Sequence, residues 1–161
     1  MSLHQFAHPL GRRELYGGHV ESVAALSMEL IRPSEHFVLF IALDGCTLSG
    51  QMLSTVAQTA LRAGASYLCC WGPECSRFHA RLDGAERAIY GDVQDDRMVI
   101  AACRQGESLE QALWYAVHVA EPSPRFEAST RSVVAVSIGN PAWGSRIEAC
   151  LTAGAPLPDE S

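Results

Sequence analysis

The chain has 161 residues, of which 48% are hydrophobic and 19% are charged. A chain of this length can bury one hydrophobic core, and the composition is typical of folded domains rather than disordered chains. The net charge of −6 argues against nucleic-acid binding, which needs clustered positive charge to neutralise phosphates. The chain has 12 arginines and no lysine, which excludes Schiff-base catalysis and a lysine-dependent P-loop.

Nothing in the sequence predicts export or membrane insertion. No apolar run approaches the roughly 18 residues that a membrane-spanning helix needs. The N-terminal residues also lack the basic region, apolar region and cleavage site of a signal peptide. We therefore expect a cytoplasmic protein that folds as a single domain over residues 1–161.

Four apolar runs, each followed by a helical pattern, organise the sequence from residue 37 onward. They span residues 37–43, 67–71, 98–102 and 132–138, and their continuous apolar character is typical of strands covered on both faces. Alternating strands and helices predict parallel pairing with right-handed crossovers. The expected fold class is α/β, a three-layer parallel sheet of about four strands with flanking helices, in a flavodoxin-like or Rossmann-like arrangement.

Capping residues mark the boundaries of the predicted helices. Ser49 precedes a helical pattern that Gly64 ends, and Pro73 suits the first position of the next helix. Ser108 and Gln111 form a capping-box signature, and prolines at 122 and 124 end the helix that follows. A last, short helix is expected around residues 143–151.

The two ends of the chain are harder to interpret. Val20, Val23, Leu26 and Leu30 have the spacing of an amphipathic helix ahead of the first strand. Residues 1–18 show no regular period, so we expect an irregular N-terminal arm there. Residues 155–161 are expected to be a frayed tail, and residues 91–96 a polar loop.

Open parallel sheets bind ligands outside the carboxyl ends of their strands, where the strand order reverses. Loops at 44–50, 71–75, 103–107 and 139–143 follow the four predicted strands. A strand order of 2-1-3-4 would place the crevice between the first and third strands. The sequence therefore predicts a binding patch formed by Asp44, Trp71, Glu74 and Arg104.

The first of these loops allows several interpretations. Asp44 has the chemistry to hold a metal, act as a base or bind a ribose hydroxyl. Aspartate before glycine more often accepts backbone hydrogen bonds in a turn, and we favour that role. Gly45, Thr47 and Gly50 offer a phosphate cradle, but their spacing matches neither the GxGxxG motif nor a P-loop.

The six cysteines are expected to be reduced, since a chain of this length does not depend on disulfides. The candidate reactive or ligand residues are Cys46, Cys75, His79 and Cys103. Cys75 and His79 lie four residues apart at a predicted helix start, which could bring both toward one zinc ion. The chain lacks the C-x₂-C pairs of structural zinc sites, so we predict no metal and no cofactor, with Cys75 as a small buried hydrophobe. A Cys75 nucleophile is the alternative, because a helix start favours the thiolate.

Residues 65–122 resemble a small bacterial family of unknown function. The resemblance rests on Trp-Gly-Pro-Glu-Cys at 71–75, on the segment at 95–99, and on the segment at 107–115. It implies the same α/β fold but no known activity, cofactor or catalytic residue. Where the family commonly has an acidic residue beyond the cysteine, this chain has His79 or an alanine, so the resemblance supplies no acidic site.

Three functional hypotheses follow. The first is a non-catalytic domain that binds a protein partner, with a basic partner as one option. A toxin-neutralising immunity protein is an example, because it acts by occlusion and needs no catalytic residue. The second is an enzyme with Cys46, Cys75 or Cys103 as nucleophile, assisted by Asp44 or His79. The third is a sensor of a nucleotide or other small ligand. We favour the first.

Overall fold

The computed structural model describes residues 3–7, 13–30, 33–44, 46–91 and 99–158. The strands in these ranges form one six-stranded sheet in the order β1-β2-β6-β3-β4-β5. β1 is antiparallel to β2, whereas the other neighbouring strands are parallel. The prediction of an α/β fold with a mostly parallel sheet is confirmed, but the sheet has six strands rather than about four. The strands are β1 (Leu3–Phe6), β2 (Glu14–Val20), β3 (His36–Ala42), β4 (Ala65–Trp71), β5 (Ile100–Cys103) and β6 (Thr130–Ile138).

The two unexpected strands come from the N-terminal segment. β2 pairs with β6 from Glu14–Ser132 to Val20–Ile138, and β1 extends the sheet by pairing with β2. Gly17 and Gly18 interrupt the apolar pattern of β2, which is why the sequence concealed this strand. The expectation of an irregular arm is therefore wrong for the described residues of 1–18, and Val20 ends a strand rather than starting a helix.

Helices cover both faces of the sheet. The helices α1–α3 share one hydrophobic core with the sheet, and α4 and α5 share a second core on the opposite face. From β2 through β3 and β4 to β5 the chain moves across the sheet in one direction, and from β5 it returns to β6. Because the crossovers are right-handed, the helix of the return connection, α4, lies on the face opposite to α1–α3. This confirms the three layers. In the described ranges, no helix has the length and apolarity needed to cross a membrane. The helices are α1 (Val23–Glu29), α2 (Gly50–Ala63), α3 (Cys75–Tyr90), α4 (Leu109–His118) and α5 (Pro141–Thr152).

The order of the strands differs from the sequence-based expectation. The four predicted strands are β3, β4, β5 and β6, and they lie in the order 4-1-2-3 instead of 2-1-3-4. The first and third predicted strands are therefore not neighbours, and no crevice forms between them. The strand order also differs from the orders of flavodoxin-like and Rossmann-like folds. What the protein shares with those folds is the three-layer arrangement of a sheet between helices.

Most of the predicted helix ends are correct. Ser49 and Gly64 cap α2, and Ser108 forms the predicted capping box of α4 with Gln111. Pro73, in contrast, lies before α3, which begins at Cys75. The intervening Glu74 has a left-handed backbone conformation with φ of 60°, which turns the chain and delays the helix start.

The C-terminal segment is better anchored than expected. Ala155 is buried, its N–H donates to the carbonyl oxygen of Cys150 at 2.8 Å, and its own carbonyl oxygen lies 3.0 Å from Nε2 of His118. The expectation of fraying is therefore wrong at Ala155. The predicted loop at 91–96 falls outside the described residues after residue 91.

Candidate functional site

A groove of about 290 Å³ lies at the carboxyl ends of β4 and β5. Residues of two loops line it: the first loop spans residues 71–75, and the second loop spans residues 103–107. Trp143 from the start of α5 completes the lining. We call this site the Trp groove. Two of the four predicted patch residues, Trp71 and Arg104, line it.

An ion pair fixes the second loop. Nε and Nη2 of Arg104 donate to the two carboxylate oxygens of Glu107 at 2.8 and 2.6 Å. The guanidinium carbon of Arg104 also lies 3.9 Å from the ring centroid of Tyr115 in α4, a cation–π contact. Although partial burial works against the charge, Glu107 raises the pKa of Arg104 above its usual value. The guanidinium is therefore held charged and in one orientation.

Trp71 joins the two sides of the groove. Its Nε1 donates to the backbone carbonyl oxygen of Glu107 at 2.7 Å, which connects the end of β4 to the second loop. Its ring meets Trp143 edge-on, with centroids 5.1 Å apart and an interplanar angle of 77°, a geometry that aromatic quadrupoles favour. Trp71 is half-buried, so it is both a packing residue and a groove wall.

A second ion pair lies beside the groove. Arg146 of α5 donates to both carboxylate oxygens of Glu110 in α4 at 2.8 and 2.7 Å. This hydrogen bonding lowers the pKa of Glu110. The guanidinium carbon of Arg146 lies 5.9 Å from the ring centroid of Trp71. The pair thus links α4 to α5 next to the tryptophan wall.

The backbone of the first loop passes unusually close to β3. Gly72 has a φ of 128°, and a Cβ at this position would overlap the carbonyl oxygen of Leu43. Only glycine tolerates both conditions. Glu74, exposed, has a φ of 60° and makes no side-chain capping bond to α3. The Trp-Gly-Pro-Glu-Cys motif is therefore a tight turn that presents Glu74 to solvent.

Asp44 and Glu74, the other two predicted patch residues, do not line the groove. Asp44 caps its own loop, accepting from the N–H of Cys46 at 3.0 Å through Oδ1 and from Thr47 through its carbonyl oxygen. Desolvation raises the pKa of the Cys46 thiol, and the charges of Asp44 and Glu74 raise it further, against an opposing effect of Arg77. Asp44, Glu74, Arg77 and Arg81 thus form a charged rim at the ends of β3 and β4. At the predicted phosphate cradle, in the loop at 44–50, the guanidinium of Arg81 lies against Gly50.

Two of the cysteines are bonded to each other. Cys75 and Cys103 form a disulfide with their Cα atoms 5.9 Å apart, so the expectation of six reduced thiols is wrong for this pair. β4 and β5 are neighbours, which brings the start of α3 next to the end of β5. That proximity depends on the strand order and leaves no trace in the cysteine spacing. Cys75 is also buried among apolar residues, as expected of a small hydrophobe.

The other four cysteines are free. Cys46 is exposed, whereas Cys69, Cys70 and Cys150 are buried. Burial raises the thiol pKa of Cys69 to about 12 and that of Cys150 to about 11. The thiolate is therefore disfavoured at these positions at neutral pH.

His79 lies apart from the Trp groove. It lines a second cavity of about 560 Å³ together with Asp83, Glu86 and Val99. Glu86 is only 5% exposed, and desolvation raises the pKa of its carboxyl. Of the four candidate ligands, Cys46, Cys75 and Cys103 are not among the residues lining this cavity, and no group of three potential metal ligands occurs in the described ranges. The absence of a bound metal stays a prediction.

The comparison with known protein families identifies one family. The family described as Domain of unknown function (DUF7684) matches residues 19–153 of the chain. The chain belongs to this family. Membership confirms the resemblance to a family of unknown function and extends it well beyond residues 65–122. No curated protein matches this DUF7684 domain.

The sequence predicts the groove only in part. Trp71 and Arg104 belong to the predicted patch, whereas Glu107 and Trp143, which complete the DUF7684 groove, do not. Glu107 precedes the capping residue Ser108, and its acidic side chain lies three residues after Arg104, a spacing that allows an ion pair. Trp143 had no such signal, since its place beside Trp71 depends on how α5 packs against the sheet.

Proposed function

We propose that this DUF7684 domain is a non-catalytic protein-binding domain of the bacterial cytoplasm, and that the Trp groove receives an apolar side chain of the partner. The observation that carries the proposal is that the groove is preformed. Trp71 is hydrogen-bonded to the second loop and packed against Trp143, and Arg104 donates to Glu107 through Nε and Nη2. Rigid tryptophan and arginine side chains around a small pocket are typical of the residues that dominate binding energy at interfaces.

The size of the groove supports a protein partner. Ligand pockets for small molecules usually enclose about 300–1,000 Å³, so a groove of about 290 Å³ is at the lower limit of that range. It is suited to one side chain of a larger partner. The carboxyl ends of the strands are also where ligands bind in flavodoxin-like and Rossmann-like domains.

The state of the cysteines favours binding over nucleophilic catalysis. A cysteine nucleophile acts as the thiolate, and its pKa is therefore usually lowered at an active site. The pKa of Cys46 is raised instead, and Cys75 and Cys103 are bonded to each other. This arrangement supports the non-catalytic hypothesis.

Charge favours a basic partner. The Arg104–Glu107 and Arg146–Glu110 pairs are each neutral. The charged rim beside the groove carries Asp44 and Glu74 against Arg77 and Arg81, so the excess of carboxylates belongs to the chain as a whole, whose net charge is −6. A partner with a basic surface around the inserted side chain would be steered toward this negatively charged protein. A toxin-neutralising immunity protein is a concrete form of this function, since occluding a basic toxin requires only such a surface.

Binding measurements on paired variants test the proposal. The partner is recovered from the native host, and its affinity and association rate are measured with the wild type, Trp143→Ala and Glu74→Arg. We expect Trp143→Ala to weaken binding at least about tenfold, the effect of losing a modest hot-spot residue. Glu74→Arg should slow association, more so at low salt.

Glu127→Arg is the matched control. Glu127 is an exposed glutamate that precedes β6 and therefore lies at the amino ends of the parallel strands, so its reversal changes the net charge equally without touching the rim. Wild-type binding by folded Trp143→Ala and Glu74→Arg, or an equal effect of Glu127→Arg, would refute the proposed site.

A further inference from the structure

The disulfide joins the two loops that border the Trp groove. Cys75 ends the first loop where α3 begins, and Cys103 begins the second loop where β5 ends. The bond spans 28 residues of sequence. It crosses between the same two loops as the hydrogen bond from Trp71 to Glu107. The covalent state of this pair therefore bears directly on how far the two sides of the groove can separate.

The remaining cysteines are free, which fits the reducing cytoplasm proposed above. Cys46 is exposed and unbonded, and three further thiols are buried and unbonded. Disulfides are rare in reducing compartments, and those that form there are usually catalytic or redox-sensing. One disulfide beside four free thiols, one of them exposed, is thus the pattern of a bond that forms and breaks during function.

We propose that the Cys75–Cys103 pair is a reversible redox-modification site that exchanges its disulfide with a dithiol protein. We propose further that the redox state of this pair controls the rigidity of the Trp groove. In the oxidised protein the two loops are tied together and the groove is preformed. In the reduced protein the loops are held by hydrogen bonds and packing without the covalent link, so the groove walls move apart more readily. This inference rests on the proposed function, because groove rigidity matters through partner binding.

The exchange reaction balances without any other reagent. Cys103 is the partly exposed member of the pair, so a thiolate of the dithiol protein attacks its Sγ. The sulfur–sulfur bond breaks, and the electron pair passes to Sγ of Cys75, which takes up a proton. The amino end of α3 stabilises negative charge on the departing Cys75 sulfur. The second thiol of the dithiol protein then attacks the mixed disulfide and releases Cys103, so two electrons and two protons are transferred.

Hydrogen exchange and thiol counting test the inference without a binding partner. The protein carries Cys46→Ser, so that its exposed thiol does not take part in the exchange. It is examined oxidised and after treatment with dithiothreitol, under conditions where it stays folded. Two amides report on the loops: the N–H of Cys75, which donates to Gly72, and the N–H of Arg104, which donates to Cys70. Amides of the central strand β3 serve as the internal control.

We expect dithiothreitol to release two thiols per chain while β3 stays protected. The protection of the two loop amides should fall at least about tenfold, since local opening becomes easier once the link is removed. The double variant Cys75→Ser, Cys103→Ser should match the reduced protein and show no response to dithiothreitol.

Two results would overturn the inference. In one, the bond resists dithiothreitol until β3 also loses protection, which would make it a structural disulfide. In the other, the bond is reduced but the two loop amides keep their protection. Neither result affects the binding of a partner to the oxidised protein, so failure of this inference is distinguishable from failure of the proposed function.

Discussion

The Arg104–Glu107 pair should stabilise the fold more than the Arg146–Glu110 pair, although both are bidentate. Their hydrogen bonds are nearly equal in length, so geometry alone predicts equal contributions. Their environments differ. The side chains of the first pair are 27% and 32% exposed, against 44% and 33% for the second, and the Tyr115 ring covers the Arg104 guanidinium.

These differences set the expected magnitudes. Exposed ion pairs contribute about 0.2–1 kcal/mol, because solvent screens the charges and ordering long side chains costs entropy. The Tyr115 ring already orders Arg104 and excludes part of the solvent, so the coupling energy of Arg104 with Glu107 should reach about 1–1.5 kcal/mol. The coupling of Arg146 with Glu110 should be about 0.5 kcal/mol or less.

Double-mutant cycles measure both values. Urea unfolding of each alanine single variant, each double variant and the wild type gives the two coupling energies. Repeating the series at high salt should reduce the Arg146–Glu110 coupling proportionally more, since its charges are more exposed. If the Arg104–Glu107 coupling were no larger than the other, or equally sensitive to salt, the ion pair would not fix the groove as described.

Three further predictions concern stability. Leu113→Ala should destabilise the protein by about 2–5 kcal/mol in urea unfolding, since Leu113 is fully buried in the core beneath α4; an unchanged midpoint would contradict that packing. Disrupting the disulfide by Cys103→Ala should cost about 3–4 kcal/mol by loop entropy for 28 residues, and adding reductant should then have no further effect. Burial raises the pKa of the Glu86 carboxyl in the folded protein. The stabilisation that the protonated carboxyl gives is therefore present below the pKa that Glu86 has in the unfolded chain, and it is lost as the pH rises through the pKa of Glu86 in the folded protein. Glu86→Gln should therefore be more stable than the wild type at neutral pH, and the two should converge below about pH 4.3.

The parts of the fold that follow from local sequence were predictable. Ser49 and Gly64 bound α2 as their capping preferences require, and the apolar run of β3 is covered on both faces. β2 was missed because its apolar pattern is broken by Gly17, where a Cβ would overlap the side chain of Leu151 in α5. The glycine that conceals the strand thus makes room for the close packing of a helix distant in sequence.

The parts that depend on strand order were not predictable. The Cys75–Cys103 bond and the contact of Trp71 with Trp143 both join segments that meet only in the folded sheet. The predicted order placed β5 beside β3, whereas it lies beside β4. Residues at strand ends could therefore be identified as candidates, but their neighbours could not.

Site-specific photo-cross-linking tests the central claim, that the Trp groove receives a partner protein, most directly. A photoreactive benzoylphenylalanine replaces Gln105, an exposed residue lining the groove, and in a second protein it replaces Met28, which is 89% exposed on α1. Irradiation of native host cells should give one protein adduct from position 105, lost when Trp143→Ala is added, and no such adduct from position 28. No adduct from position 105, or the same adduct from both positions, would contradict the claim.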